Sequence, residues 1–287
     1  MKISLLCEMK FLFDTASSFH CTGRYHDLSY ANAPCSWGVD DHANPFLPPW
    51  HKVLTEAAQA GYPSIELGPW DYLPTDAAEL TRQLDAHQLS LVAGTIFDDL
   101  VSEAHFPTLT HNLCRTMSSV PVATKTPGAS APYLVIIDFG NPERAKYAGR
   151  SEKAPRLSAD DWQRMMQHIT LLSEIARQEY GVRPVIHPHA GGCIEFADEL
   201  AQLVSDIPHQ VAGSCLDTDH LYYAGMDPVA SLEQYWDRID YLHFKDVSQP
   251  VWRDALSQGL DFFTACAQGG CVHWGRAQST IRRCEAC

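Results

Sequence analysis

Positive charge is what this chain has least of. Its 287 residues carry 21 lysines and arginines against 35 aspartates and glutamates, a formal net charge of −14. Nucleic-acid backbones need a basic surface, so this balance argues against DNA or RNA as a partner. No apolar run approaches the roughly 18 residues of a membrane helix, so no membrane partner is expected. No glycine-rich phosphate loop follows any strand-like run, which removes the usual binding site of a doubly wound nucleotide-binding sheet. The ten cysteines, at 7, 21, 35, 114, 193, 215, 266, 271, 284 and 287, lack the even spacing of a small disulfide scaffold. They read as reduced thiols of a cytoplasmic protein. The opening MKISLLCEMKFLFDTASS makes a poor secretory leader, because Glu8 and Lys10 interrupt its apolar run and no small-residue cleavage site follows.

What is present is an alternation of strand-like and helix-like stretches. The hydrophobic share of 45% and charged share of 20% are ordinary for a globular chain of this length. Residues 1–27 show neither period and read as an extension outside the core. Strands are expected at 28–33, 62–67, 89–95, 133–137, 184–186, 213–217 and 239–242. The run Tyr133–Ile137 is continuously apolar and β-branched, as buried parallel strands are. Helices are expected between them. The clearest begins at Ser158, a cap with Asp161 three positions on, and carries Trp162, Met165, Ile169, Leu172 and Ala176 as its inward stripe until Gly181 stops it. Residues 221–228 read as a loop, and 97–128 as part helix, part loop.

Seven strands alternating with helices, with no gap wide enough for a domain boundary, indicate one α/β domain over 28–270 with a parallel sheet. Asn32, Glu66, Thr95, Asp138, His187, Asp217 and His243 fall at the carboxyl ends of successive strands. A ring of polar residues of that sort suits the mouth of a (β/α)₈ TIM barrel better than the single switch point of an open sheet.

Within the ring, His187, Asp217 and His243 offer the imidazole and carboxylate donors that suit manganese, cobalt, zinc or iron. They are the candidate metal ligands, with manganese or cobalt expected first and magnesium as a further option. Lys245 follows His243 by two residues, so alternation sends both side chains the same way. It is a candidate acid or base, or else the partner of Asp246 or Glu66. Glu66 is a candidate base or the partner of that lysine. His189 and His220 are candidate acids, His220 equally an orienting neighbour.

These residues lie in the stretches NAPCSWG (32–38), PPW (48–50), AGYPSIELGP (60–69), LVAGT (91–95), HPHAGG (187–192), CLDTDHLYYAGMDP (215–228) and YLHFKDV (241–247). In them the chain resembles the xylose-isomerase-like barrel superfamily, and within it the myo-inosose-2 dehydratase group. The resemblance implies a divalent metal and a small-molecule keto-polyol or ketose as substrate, with a homo-oligomer possible. It also implies a lyase that acidifies a C–H beside a ketone and expels hydroxide. A ketose isomerase or 3-epimerase is the alternative, and an inactive remnant is another. His187 stands where isomerases of the superfamily carry Glu, and Asp219 where relatives commonly carry Gly. After GLDFFTACAQGG (259–270), the stretch CVHWGRAQSTIRRCEAC (271–287) departs from the family pattern. It reads as an out-of-frame tail, leaving the eighth strand and its metal-binding Glu missing or replaced, two sheet edges unpaired, and activity in doubt.

Overall fold

The structure, a computed structural model, describes residues 4–7, 29–40, 44–120 and 131–272. Its strands are β1 (Ser4–Cys7), β2 (Ser29–Ala31), β3 (Ser64–Glu66), β4 (Ser90–Asp98), β5 (Tyr133–Asp138), β6 (Arg183–Ile186), β7 (Gly213–Asp217) and β8 (Ile239–Phe244), followed by a short pair, β9 (Asp246–Val247) and β10 (Cys271–Val272). Around them lie α1 (Trp50–Gln59), α2 (Ala77–Ala86), α3 (Phe106–Met117), α4 (Pro142–Ala145), α5 (Ala159–Tyr180), α6 (Ala197–Asp206), α7 (Thr218–Tyr223), α8 (Pro228–Gln234), α9 (Gln249–Gln258) and α10 (Phe262–Ala267).

The first eight strands form one sheet in the order β2-β1-β8-β7-β6-β5-β4-β3, every neighbouring pair parallel. Just past β2, Asn32 bridges to Ile65. Its N–H donates to Ser64 O at 3.1 Å, and its carbonyl accepts from Glu66 N–H at 2.8 Å. That bridge joins the two outer strands, so the sheet closes into a ring.

Strand alternation divides the core into two layers. Tyr133, Val135 and Ile137 of β5 face the barrel interior with Ala93, Val185, Cys215 and Tyr241. Leu134 and Ile136 face outward and pack with Met165, Ile169 and Leu172 of α5. Full burial of such side chains contributes roughly 1.5–3 kcal/mol each. The capping expected for α5 is present, with Ser158 Oγ accepting from Asp161 N–H at 3.1 Å and Gly181 closing the helix at φ 65°. Among the described residues no helix is long and apolar enough to cross a membrane.

Several expectations need correction. Residues 1–27 are not wholly outside the barrel. Ser4–Cys7 lies between β2 and β8, in register with Ser29–Ala31 on one side and Tyr241–Phe244 on the other. The eighth place in the ring is therefore filled from upstream, and the two edges expected to stand open are paired. Residues 8–28 lie outside the described residues. The stretch expected to be a loop at 221–228 begins inside α7, which Asp217 caps by accepting from Asp219 N–H at 2.9 Å. Of the tail, Cys271–Val272 pairs antiparallel with Asp246–Val247; 273–287, with Cys284 and Cys287, lie outside the described residues. Cys266 and Cys271 form a disulfide rather than two thiols, while Cys114, Cys193 and Cys215 stand outside any disulfide.

Candidate active site at the barrel mouth

Four of the strands deliver the site. Glu66 ends β3, His187 follows β6, Asp217 ends β7, and His243 and Lys245 come from the end of β8 and the residue beyond. The two remaining candidates stand on loop and helix above the rim, His189 after β6 and His220 in α7. Asp217 Oδ2 is the hub. Lys245 Nζ lies 3.1 Å from it, His187 Nε2 3.5 Å, His243 Nδ1 3.6 Å and His220 Nε2 3.9 Å. The structure thus brings together all seven residues singled out from sequence except that His189 meets the group through rings. Its ring centroid is 4.1 Å from that of His220 and 5.9 Å from that of His187.

Lys245 stands beside Asp217, and its ammonium also helps to hold down the Glu66 carboxyl. Burial pushes the Asp217 carboxyl up, but the Lys245 ammonium and the surrounding imidazoles more than reverse this and hold it well below the usual carboxylate range. Glu66 is occupied elsewhere. Its Oε1 accepts from the Tyr241 hydroxyl at 2.8 Å and from His243 Nε2 at 3.2 Å. Burial raises its pKa, and these partners, His243 first, bring it below the ordinary value. For His243, burial lowers the ring's affinity for a proton, while the Cys215 sulfur, Asp217 and Glu66 raise it well above the ordinary histidine value.

Hydrogen-bond partners fix a donor nitrogen on three of the four rings. A carboxylate only accepts, so His243 Nε2 is the donor to Glu66, and Nδ1 is the nitrogen that faces Asp217. Ala190 N–H donates to His220 Nδ1 at 3.0 Å, so the proton of the neutral His220 ring sits on Nε2. His189 Nδ1 lies 2.9 Å from Ala190 O and must donate to it, which leaves the lone pair on Nε2. Burial and the nearby His187 lower the His189 pKa to about 3, and burial with His189 lowers that of His220 well below the ordinary value. Both rings are neutral at pH 7.

Among the described residues, ligand atoms of His187, Asp217 and His220 lie within 4.8 Å of one another, as do those of His187, Cys215 and His243. A divalent ion fits the chemistry of this donor set. His187 Nδ1 and His243 Nδ1 are buried polar atoms without a hydrogen-bond partner, a costly condition unless something else satisfies them. The orientation of His243 by Glu66 is also the arrangement that metal-binding histidines use. His220 fits less well as a ligand, because its Nε2 carries the proton.

Sequence reasoning missed three features. Tyr241 faces the same way as His243 by strand alternation, which was the signal available. Phe97, Phe139 and Phe263 gather over His189, with ring centroids 5.0 Å (Phe97) and 5.7 Å (Phe263) from it and Phe139 5.9 Å from Phe97. They are 42%, 42% and 53% exposed, an apolar wall at the mouth. Arg144 is buried in a stretch that reads as a polar loop. It donates to Gly192 O at 2.9 Å, Pro155 O at 2.7 Å and Glu199 Oε2 at 2.7 Å, tying down the loop that carries His187 and His189. Two members of the expected polar ring do other work. Thr95 lies below the rim because β4 runs on to Asp98, and Asp138 accepts from the backbone of Leu100, Gly140 and Cys193.

The family model described as the xylose isomerase-like TIM barrel matches residues 54–274. An inosose dehydratase of Geobacillus kaustophilus is 29% identical over 251 residues, 83% of this chain and 75% of that protein. The rhizopine catabolism protein MocC of Rhizobium meliloti is 30% identical over 248 residues, 84% of this chain and 71% of that one. Among solved structures, a D-allulose 3-epimerase from Methylomonas sp. aligns at a TM-score of 0.58 and 18% identity, over 84% of this chain and 80% of its own. The IOLI protein with a bound zinc atom aligns at 0.57 and 16%, over 76% and 73%. Fold and sequence agree: the chain belongs to the xylose isomerase-like TIM barrel family.

Proposed function

We propose that this protein is a divalent-metal-dependent dehydratase acting on a cyclic keto-polyol of the inosose type. The observation that carries the reading is the convergence on Asp217 Oδ2 of His187, His243 and Lys245, each within 3.6 Å. Likeness to inosose dehydratases supports the reaction class. The phenylalanine wall supports a ring-shaped substrate, whose C–H face stacks on aromatic rings while its hydroxyls reach the polar cluster.

In this reading His187, Asp217 and His243 hold the ion, with Glu66 and Tyr241 fixing the His243 ring. When bound, the ion supplies Lewis acidity to a substrate ketone and so acidifies the neighbouring C–H. The expected division of labour reverses. His189 presents a lone pair on Nε2 and is the base that takes the carbon-bound proton. So weak a base suffices only for a C–H already acidified. His220 Nε2–H donates a hydrogen bond to the oxygen on which negative charge develops, as a neutral imidazole can. The Lys245 ammonium protonates the departing hydroxide, which leaves as water. Glu66, held by two donors, orients rather than abstracts.

The test is incubation of the metal-loaded protein with inosose and, separately, with ketohexoses. A dione chromophore from inosose supports elimination. An isomeric sugar without that chromophore supports an epimerase instead, and no turnover of either class by folded, metal-loaded protein defeats both.

A further inference from the structure

Cys215 precedes Asp217 by two residues on β7 and so faces the same way, one layer deeper in the barrel. The strand register sets it beside Tyr241, as it sets Asp217 beside His243. The thiol is fully buried and outside any disulfide. Its sulfur, a nitrogen of His187 and a nitrogen of His243 lie within 4.8 Å of one another. Core packing accounts for a buried cysteine, but not for two buried imidazoles beside it whose Nδ1 atoms lack hydrogen-bond partners.

We propose that Cys215, His187 and His243 form a second donor set, beneath Asp217 and sharing its histidines, which takes a thiophilic divalent ion such as zinc or cadmium. Donor type decides the class of ion. Thiolate with imidazole suits zinc and cadmium, whereas carboxylate and water suit manganese and magnesium. Because the two sets share His187 and His243, an ion held in one denies those rings to the other. A soft ion drawn down to sulfur leaves Asp217 to Lys245, His220 and the Asp219 N–H. Binding breaks the S–H bond, forms a metal–sulfur bond and releases the proton to the buffer, with no change of oxidation state. The inference stands on donor placement and holds whichever reaction the site performs.

Titration of the metal-free full-length chain with Co(II), followed in the near ultraviolet, tests it. A sulfur-to-cobalt charge-transfer band is expected in the native protein and should be missing from both Cys215→Ser and Cys215→Ala, each checked by circular dichroism for a native fold. In competition experiments Cd(II) affinity should fall by about 100-fold or more in Cys215→Ser, while Mn(II) affinity changes by less than about threefold. A band that survives both substitutions, the lack of one in the native protein, or equal losses for Cd(II) and Mn(II) overturns the proposal. If neither variant folds, cadmium NMR of the native protein decides: a resonance in the nitrogen/oxygen-only region overturns it, and one shifted by sulfur ligation upholds it.

Discussion

The hydroxyl of Tyr241 and the ring of His243, two residues apart on one strand, both donate to Glu66 Oε1 across the barrel, at 2.8 and 3.2 Å. The tyrosine therefore steadies the carboxylate that steadies the histidine. Tyr241→Phe removes one donor without changing the ring's shape. Partners of ligating histidines commonly account for 10–100-fold in metal affinity. Glu66→Gln should fall in that range and Tyr241→Phe nearer its lower end, about 10-fold, in calorimetric titrations with Mn(II) or Co(II). Equal and unchanged affinities in both variants would show that His243 needs no such support.

Lys245 is the cation nearest Asp217, at 3.1 Å, and the proposed proton donor to the leaving group. Lys245→Met and Lys245→Arg separate those two roles. The methionine variant leaves a buried carboxylate without its ammonium, a situation that costs about 3–5 kcal/mol of stability. The arginine variant keeps the charge but cannot give up a proton. General acid catalysis is worth about 10²–10⁴-fold. Arginine should therefore restore folding and KM while kcat remains down by that factor. Recovery of kcat by arginine would reduce Lys245 to a counter-ion.

Glu195 should give the fold a pH dependence of unusual sign. Its Oε1 accepts from Gly149 N–H at 2.6 Å, and its Oε2 is 3.8 Å from Arg144 Nη2 without a hydrogen-bond partner. Burial pushes its carboxyl up from 4.5 to about 7, against the pull of Gly149, Gly191 and Arg144. Between those values the folded chain keeps a proton that the unfolded chain has lost. The contribution of this residue is thus most favourable below the unfolded value, declines as pH rises toward the folded value and is level above it. The gap corresponds to roughly 3 kcal/mol. Urea unfolding at pH 5 and pH 8 measures it. The native protein should lose about 2–3 kcal/mol more than Glu195→Gln, which has no proton to lose.

The parts of the fold that sequence reveals are those whose pattern is local. Tyr133–Ile137 is read as a buried strand because apolar, β-branched residues run through it without a break, and it is one. The polar residues at strand ends are readable because a parallel barrel puts all carboxyl ends at one mouth. What stays hidden depends on partners far along the chain. Arg144 sits in a stretch that looks solvated, and is buried by groups 48 and 55 residues away. Its loop packs closely because a Cβ at Gly192 would stand 2.6 Å from Asp138 O. The roles of His189 and His220 turn on opposite ends of the same residue, the carbonyl and the N–H of Ala190. No spacing in the sequence encodes that.

The least legible element is also the one whose loss has the widest effect. Ser4–Cys7 has no periodicity to mark it as a strand. What makes it one is the slot itself, since β2 and β8 each offer a row of backbone N–H and C=O groups that must be paired. Leu5 and Leu6 stand in register with Leu242 and His243, at the edge of the site. Proline cannot donate to a ladder and is confined to edge strands, so Leu5→Pro should be far more damaging than a surface change. Loss of a ladder hydrogen bond that leaves a backbone group unpaired costs about 1–3 kcal/mol and would lower the melting temperature by roughly 2–12 °C in a chain of this size. It would also uncover two strand edges and promote association between molecules. Scanning calorimetry and light scattering read both effects. A melting temperature unmoved by Leu5→Pro would mean that the ring closes without this segment, and that something else pairs the edges of β2 and β8.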